Sequence, residues 1–171
     1  MRRCYVKVKE GIQEIRGEFG LQVYKRGKLV DEYVDHNLIV EVGRQRLAEL
    51  AAGKSTAAIK YIGFGSGKNY VANGRALETD KDTTLEDLQL FEFKTSEVDG
   101  AAVEVNGMDA RFNFCLTEAE ANGLEIREIG LFCADGVMFS HRVRTNKKRT
   151  KILTIDKEDD LEIKGYYILH F

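Results

Sequence analysis

The chain has 171 residues, with 26 Lys and Arg against 28 Asp and Glu, 43% hydrophobic and 32% charged residues, and a formal net charge of -2. That length allows one domain with a real core, and near-neutrality argues against a molecule-wide electrostatic trap for nucleic acid or an acidic membrane. No apolar run approaches the ~20 residues of a membrane helix, Arg2 and Arg3 precede no apolar stretch, and Cys4, Cys115 and Cys133 fit neither a disulfide framework nor a zinc site.

The segment 4–9 alternates as a short strand, and 20–37 reads as a hairpin turning at Lys25-Arg26-Gly27-Lys28, where Gly27 supplies a positive φ. Leu38, Val42, Leu47 and Leu50 recur near helical spacing, and Gly53 is a good stop, so a helix is expected at about 38–52. A strand at 58–65 then runs into a turn shaped by Gly63, Gly65 and Gly67, followed by a polar loop over 68–88. Strands are expected at 90–98, 101–116, 124–133, 137–143, 151–155 and 161–171. Asp99-Gly100, Asn122-Gly123 and Asp135-Gly136 serve as turn dipeptides between them. One helix followed by the strand at 58–65 and these six more predicts a mainly β fold, an antiparallel β-sandwich or open barrel with one principal helix. Nothing divides 1–171 into two domains, and 1–35 reads as an N-terminal extension or hairpin. Because the strand at 161–171 carries Tyr166, Tyr167, Ile168, Leu169 and Phe171 to the end of the sequence, no C-terminal shaft or effector module is expected.

Charge is unevenly spread. Residues 1–30 carry eight Arg or Lys against three Glu, and residues 80–99 carry seven acids against two Lys, an opposition that suits protomers meeting head to tail. Arg142, Arg144, Lys147, Lys148 and Arg149 form the densest basic run. No aromatics interleave with it, so a solvated loop or a subunit contact is favoured over nucleic acid. With Arg2, Arg3, Lys7 and Lys9, these are the candidate assembly contacts.

The case for chemistry is thin. Gly53-Lys54-Ser55 and Gly67-Lys68 lack the earlier glycine of a phosphate loop, Ala48 and Ile62 standing in its place. Gly63-Phe64-Gly65-Ser66-Gly67 misses the dinucleotide fingerprint. His36, His141 and His170 show no metal-ligand spacing. Cys115 and Cys133 sit in apolar strands, where inert thiols are expected. Glu125 and Glu128 flank an apolar strand with no second sign of acid–base pairing. No catalytic residue, cofactor or metal is expected.

Three stretches in fixed order carry a resemblance: His36-Asn37-Leu38-Ile39-Val40 with Gly43-Arg44 and Leu47; Ile59 to Gly67; and Ile126-Arg127-Glu128-Ile129-Gly130-Leu131-Phe132 followed by Asp135 to Ser140. Over about 36–171 the chain resembles tail-associated structural proteins of bacteriophages and prophages, of the baseplate and tail-fibre N-terminal or collar type. The resemblance implies a virion structural subunit, assembled in the bacterial cytoplasm into the tail. It would act as a homo-oligomer, partnered by itself and other tail proteins, with no nucleic acid or membrane partner. Gly130 inside an apolar strand also points to a bulge or a close backbone approach. Two alternatives stand beside this. One is a glycan-binding β-sandwich using Tyr24, Tyr33, Tyr61 and Tyr70; the other is a small hydrolase using His36 or His141.

Overall fold

The computed structural model describes residues 15–71, 77–94 and 101–171. β1 (Arg16–Lys25) and β2 (Lys28–Ile39) form the expected hairpin. Its central residues Arg26 and Gly27 have φ of 50° and 75°, both left-handed as a type I′ turn requires. α1 (Glu41–Ala51) starts three residues later than its periodicity suggests, because Leu38 and Ile39 pair with His141 and Ser140 in the sheet. A ladder pairing that also buries Ile39 wins over helical spacing here. The helix stops as expected. Gly53 takes φ 65°, its N–H reaches Leu50 O and the Lys54 N–H reaches Glu49 O, which together form a Schellman cap.

The remaining strands are β3 (Ile59–Gly65), β4 (Gln89–Glu92), β5 (Val103–Asn106), β6 (Asp109–Leu116), β7 (Glu125–Ile126), β8 (Glu128–Cys133), β9 (Met138–Val143), β10 (Ile155–Asp156) and β11 (Leu161–His170). Among the described residues, nine of the eleven strands form one antiparallel sheet in the order β4-β3-β8-β9-β2-β1-β11-β6-β5, and β7 pairs with β10. The sheet curls into a half-barrel. Six strand steps separate β3 from β6, roughly 29 Å in a flat sheet. Yet the Phe64 and Phe114 rings are 5.7 Å apart, edge to face. Phe19 stacks on Phe114 at 6.1 Å and tilts against Tyr167 at 4.8 Å, so aromatic rings fill the curl. Gly165 makes room for them, since a Cβ there would lie 2.4 Å from Phe114 Cζ.

A second, smaller core of Val40, Leu85, Phe132 and Met138 lies apart from the main one. Ile129, Leu131 and Cys133 face the main core, while Phe132 joins the second. β8 and β9 are therefore buried on both faces, which is why Glu128 interrupts no polar–apolar alternation: none is present.

Four expectations are corrected. The strand at 101–116 is two strands, β5 and β6, joined at Gly107 with φ 62°. Asn106-Gly107 is itself a turn dipeptide. The strand at 124–133 breaks at Arg127, whose N–H bonds Gly65 O and whose carbonyl accepts from the Arg144 N–H. The strand at 151–155 shrinks to β10 plus a single Thr145–Ile152 bridge. Gly63 and Gly65 are strand residues rather than turn residues; Gly67, at φ 52°, does turn the chain. The strand at 4–9, the end of 90–98 and the Asp99-Gly100 turn lie outside the described residues.

Candidate functional site

The two glycine-bearing stretches singled out in the sequence meet as neighbours, β3 against β8. Gly65 stands opposite Glu128 and Gly63 opposite Gly130. A Cβ on Gly65 would lie 2.7 Å from Glu128 Oε1, and one on Gly63 would lie 2.4 Å from the Phe132 ring. At Gly130 a Cβ would lie 2.8 Å from Ser140 O, the close backbone approach expected there. The glycines therefore hold open the space that a carboxylate and an aromatic ring occupy.

Glu128 fills its space as an acceptor. Oε1 receives the Gly67 N–H at 3.0 Å and the Glu86 N–H at 2.8 Å, and Oε2 lies 3.1 Å from His141 Nε2. Both side chains are fully buried. Facing an acceptor-only carboxylate, Nε2 is the ring nitrogen that donates, and Nδ1 has no partner. The Tyr70 ring tilts against the imidazole at 5.6 Å. Burial, and then the carboxylates of Glu128, Asp82, Glu78 and Glu86, push the Tyr70 phenol far above its ordinary range.

The turn beyond Gly65 is wrapped around Glu86. Its carbonyl accepts the Ser66 N–H at 2.7 Å, and its Oε2 accepts the Lys68 and Asn69 N–H groups. Glu128 thus ties the 66–69 turn and the 85–87 segment to the sheet. A carboxylate oriented against an imidazole is also half of an acid–base device. With neither side chain exposed, the contacts that Glu128 makes are those of an internal latch.

The basic run at 142–149 divides in two. Lys147, Lys148 and Arg149 are exposed on a turn, whereas Arg142 and Arg144 are only 3% and 1% exposed. As assembly contacts these two are corrected: a strand buried on both faces carries Arg142 inside, and the neighbouring acids receive both side chains. Arg142 pairs with Glu78 at 2.5 Å and with Asp35, and Glu78 also accepts the Val143 N–H. Burial alone would lower the Arg142 pKa; Glu78, Tyr33 and Asp35 outweigh it and raise it. Arg144 pairs with Asp31 at 2.9 Å and lies over the Tyr33 ring at 5.2 Å. Burial outweighs Asp31 and lowers its pKa. Arg2, Arg3, Lys7 and Lys9 lie outside the described residues.

The acidic stretch is largely spent within the chain. Asp80 holds Arg44 at 3.0 Å, Asp87 holds Lys68 at 2.8 Å and Glu92 holds Lys60 at 3.0 Å. In the basic segment, Lys25 and Arg26 pair with Asp160. The thiols of Cys115 and Cys133 are pushed up to about 11, chiefly by burial. Of the four tyrosines of the glycan reading, Tyr33 is buried under Arg144 and Tyr70 packs on His141. Among the described residues, no cluster of three or more His, Cys, Asp or Glu is arranged to hold a metal, and no helix is long and apolar enough to cross a membrane.

Sequence reasoning missed the Glu128–His141 pair and the Arg142–Glu78–Asp35 cluster. A charged residue between Ile126 and Ile129 was the available signal for the first. The second joins residues more than 60 positions apart and left no local trace. Comparison with protein-family models, curated proteins and solved structures finds no match.

Proposed function

We propose that this chain is a structural subunit of a bacteriophage or prophage tail, of the baseplate or tail-fibre adaptor type. It acts by assembling with itself and with other tail proteins rather than by catalysis, and it uses no cofactor. The observation carrying this reading is the use made of the three motifs that resemble tail proteins. Gly43 seats α1 on β9, where a Cβ would lie 2.1 Å from Phe139 O. Gly63 and Gly65 receive Phe132 and Glu128, and Glu128 ties down the turn at Gly67. The motif residues are framework, and the reactive-looking side chains among them are consumed in holding it. Such a framework suits a part that must keep its shape inside a larger assembly. Mass spectrometry on particles purified after inducing the strain that encodes the chain tests the proposal. The chain is expected at stoichiometric level in intact tails. Its absence from tails, with the protein abundant in the same lysate, overturns the reading.

A further inference from the structure

At one end of the sheet, a single cross-strand row links two features of opposite shape. Asn37, Gly17, Leu169, Ala110 and Val105 stand opposite one another in turn across β2, β1, β11, β6 and β5. Beside the Asn37 end lies a groove of about 890 Å³. Its walls are Leu38 and Ile39 from β2 and Leu47, Ala48 and Ala51 from α1, and Arg16 adds a positive charge at its edge. The Asn37 amide in its wall is shielded from water with neither Oδ1 nor Nδ2 hydrogen-bonded, a cost left standing in the isolated chain.

The other end of the row is a projecting apolar tip. Val105 is 78% exposed, Met108 64% and Phe171 40%, and the Phe171 N–H binds Met108 O, so the last two are neighbours. Glu104 and Asp109 flank this tip, Asp109 lying 2.8 Å from His170 Nδ1. Among the described residues β5 is also the outermost strand of the sheet. Four strand spacings separate tip from groove, roughly 19 Å.

We infer that the tip of one copy, Val105 and Met108 at the β5–β6 turn, seats in the groove between α1 and β2 of a second copy. The inference rests on the assembly reading above and names its self-contact. An apolar tip beside Glu104 meets an apolar groove edged by Arg16, so hydrophobicity and the sign of the charge agree. Because both features lie at the same end of the sheet, a two-fold axis between them satisfies both at once: each copy gives its tip and receives the other's.

Sedimentation velocity of the full chain over a wide concentration range tests this, with two variants at exposed positions. Val105→Glu spoils the tip and Ala48→Glu spoils the groove, and circular dichroism confirms that each folds. The parent chain is expected to self-associate, and each variant to do so at least about tenfold more weakly. Mixing the two variants is expected to restore part of the association, since the Ala48→Glu tip and the Val105→Glu groove remain intact. A parent chain that is monomeric throughout overturns the inference. So does association that neither variant weakens, or a mixture no stronger than its components. A monomeric chain that is nonetheless found in purified tails would sink the self-contact and leave the tail reading standing. A self-associating chain absent from tails would do the reverse.

Discussion

His141 Nε2 lies 3.1 Å from Glu128 Oε2, and neither side chain exposes any surface to solvent. Both partners come from strands buried on two faces, and the other oxygen of Glu128 holds two backbone N–H groups from segments beyond the sheet. One carboxylate therefore joins three parts of the chain. Its loss should be felt as stability.

Replacing Glu128 with Ala strands the Gly67 and Glu86 N–H groups and the imidazole together, and should cost about 3–5 kcal/mol. Glu128→Gln keeps an acceptor for the N–H groups and should cost about 1–2 kcal/mol. Urea denaturation measures both. A Glu128→Ala midpoint equal to the parent's would show that the latch holds nothing.

Arg142→Ala should cost about 3–5 kcal/mol, because Glu78 is left buried without its cation. Lys148→Ala, a few residues away on the exposed turn, should change stability by less than about 0.5 kcal/mol. Thermal melts of the two variants check the division of the basic run. Equal effects would contradict it.

Two glycines should fail for different reasons. Gly43→Ala drives a methyl group into Phe139 O, forcing α1 off β9, and should cost about 1–3 kcal/mol. Gly27→Ala meets open space and should lose only the roughly 1 kcal/mol of a left-handed backbone. Chemical denaturation separates them, and a Gly43→Ala variant as stable as the parent would refute the close seating of the helix.

Acid and alkali should each remove stability through named groups. Burial alone would raise the Asp35 pKa, but Arg142, the His36 N–H and the Tyr33 hydroxyl hold it below the ordinary carboxylate range. Its folded pKa is thus below its unfolded one. Its contribution is full above about pH 4 and is lost as pH falls through the folded value. Cys115 and Cys133 run the other way. Burial raises both to about 11, so the unfolded chain loses those protons first, from about pH 8.5 upward. Stability should fall between there and about 11. Asp35→Asn should flatten the acid limb and Cys133→Ala should flatten the alkaline limb in stability–pH curves. Unchanged slopes would remove these assignments.

ATP and GTP should not stabilise the protein. The Ser66, Gly67 and Lys68 N–H groups that a phosphate would need already serve Glu86 and Glu128. A ligand at a hundred times its dissociation constant would add about 2.7 kcal/mol, a shift that thermal scanning reads easily. A clear rise with either nucleotide would reverse the reading of this glycine-rich stretch.

Local chemistry was legible wherever it acted alone. Gly27, Gly53, Gly123 and Gly136 each take a positive φ where a turn or helix stop was expected, since glycine meets that requirement within a few residues. Alternation and turn dipeptides likewise sufficed for the β class and the single helix. They stopped short where another part of the chain decided the outcome. Leu38 and Ile39 left the helix because β9 offered them a ladder, and Gly63 and Gly65 became strand residues because β8 brought Phe132 and Glu128 against them. Arg142 and Arg144 had the look of a surface patch. Asp35, Glu78 and Asp31, between 64 and 113 positions away, took them inside. A turn depends on the torsion preferences of adjacent residues, which sequence carries directly. A buried ion pair depends on desolvation and on a partner supplied by distant chain, and only the folded sheet settles where that partner lies.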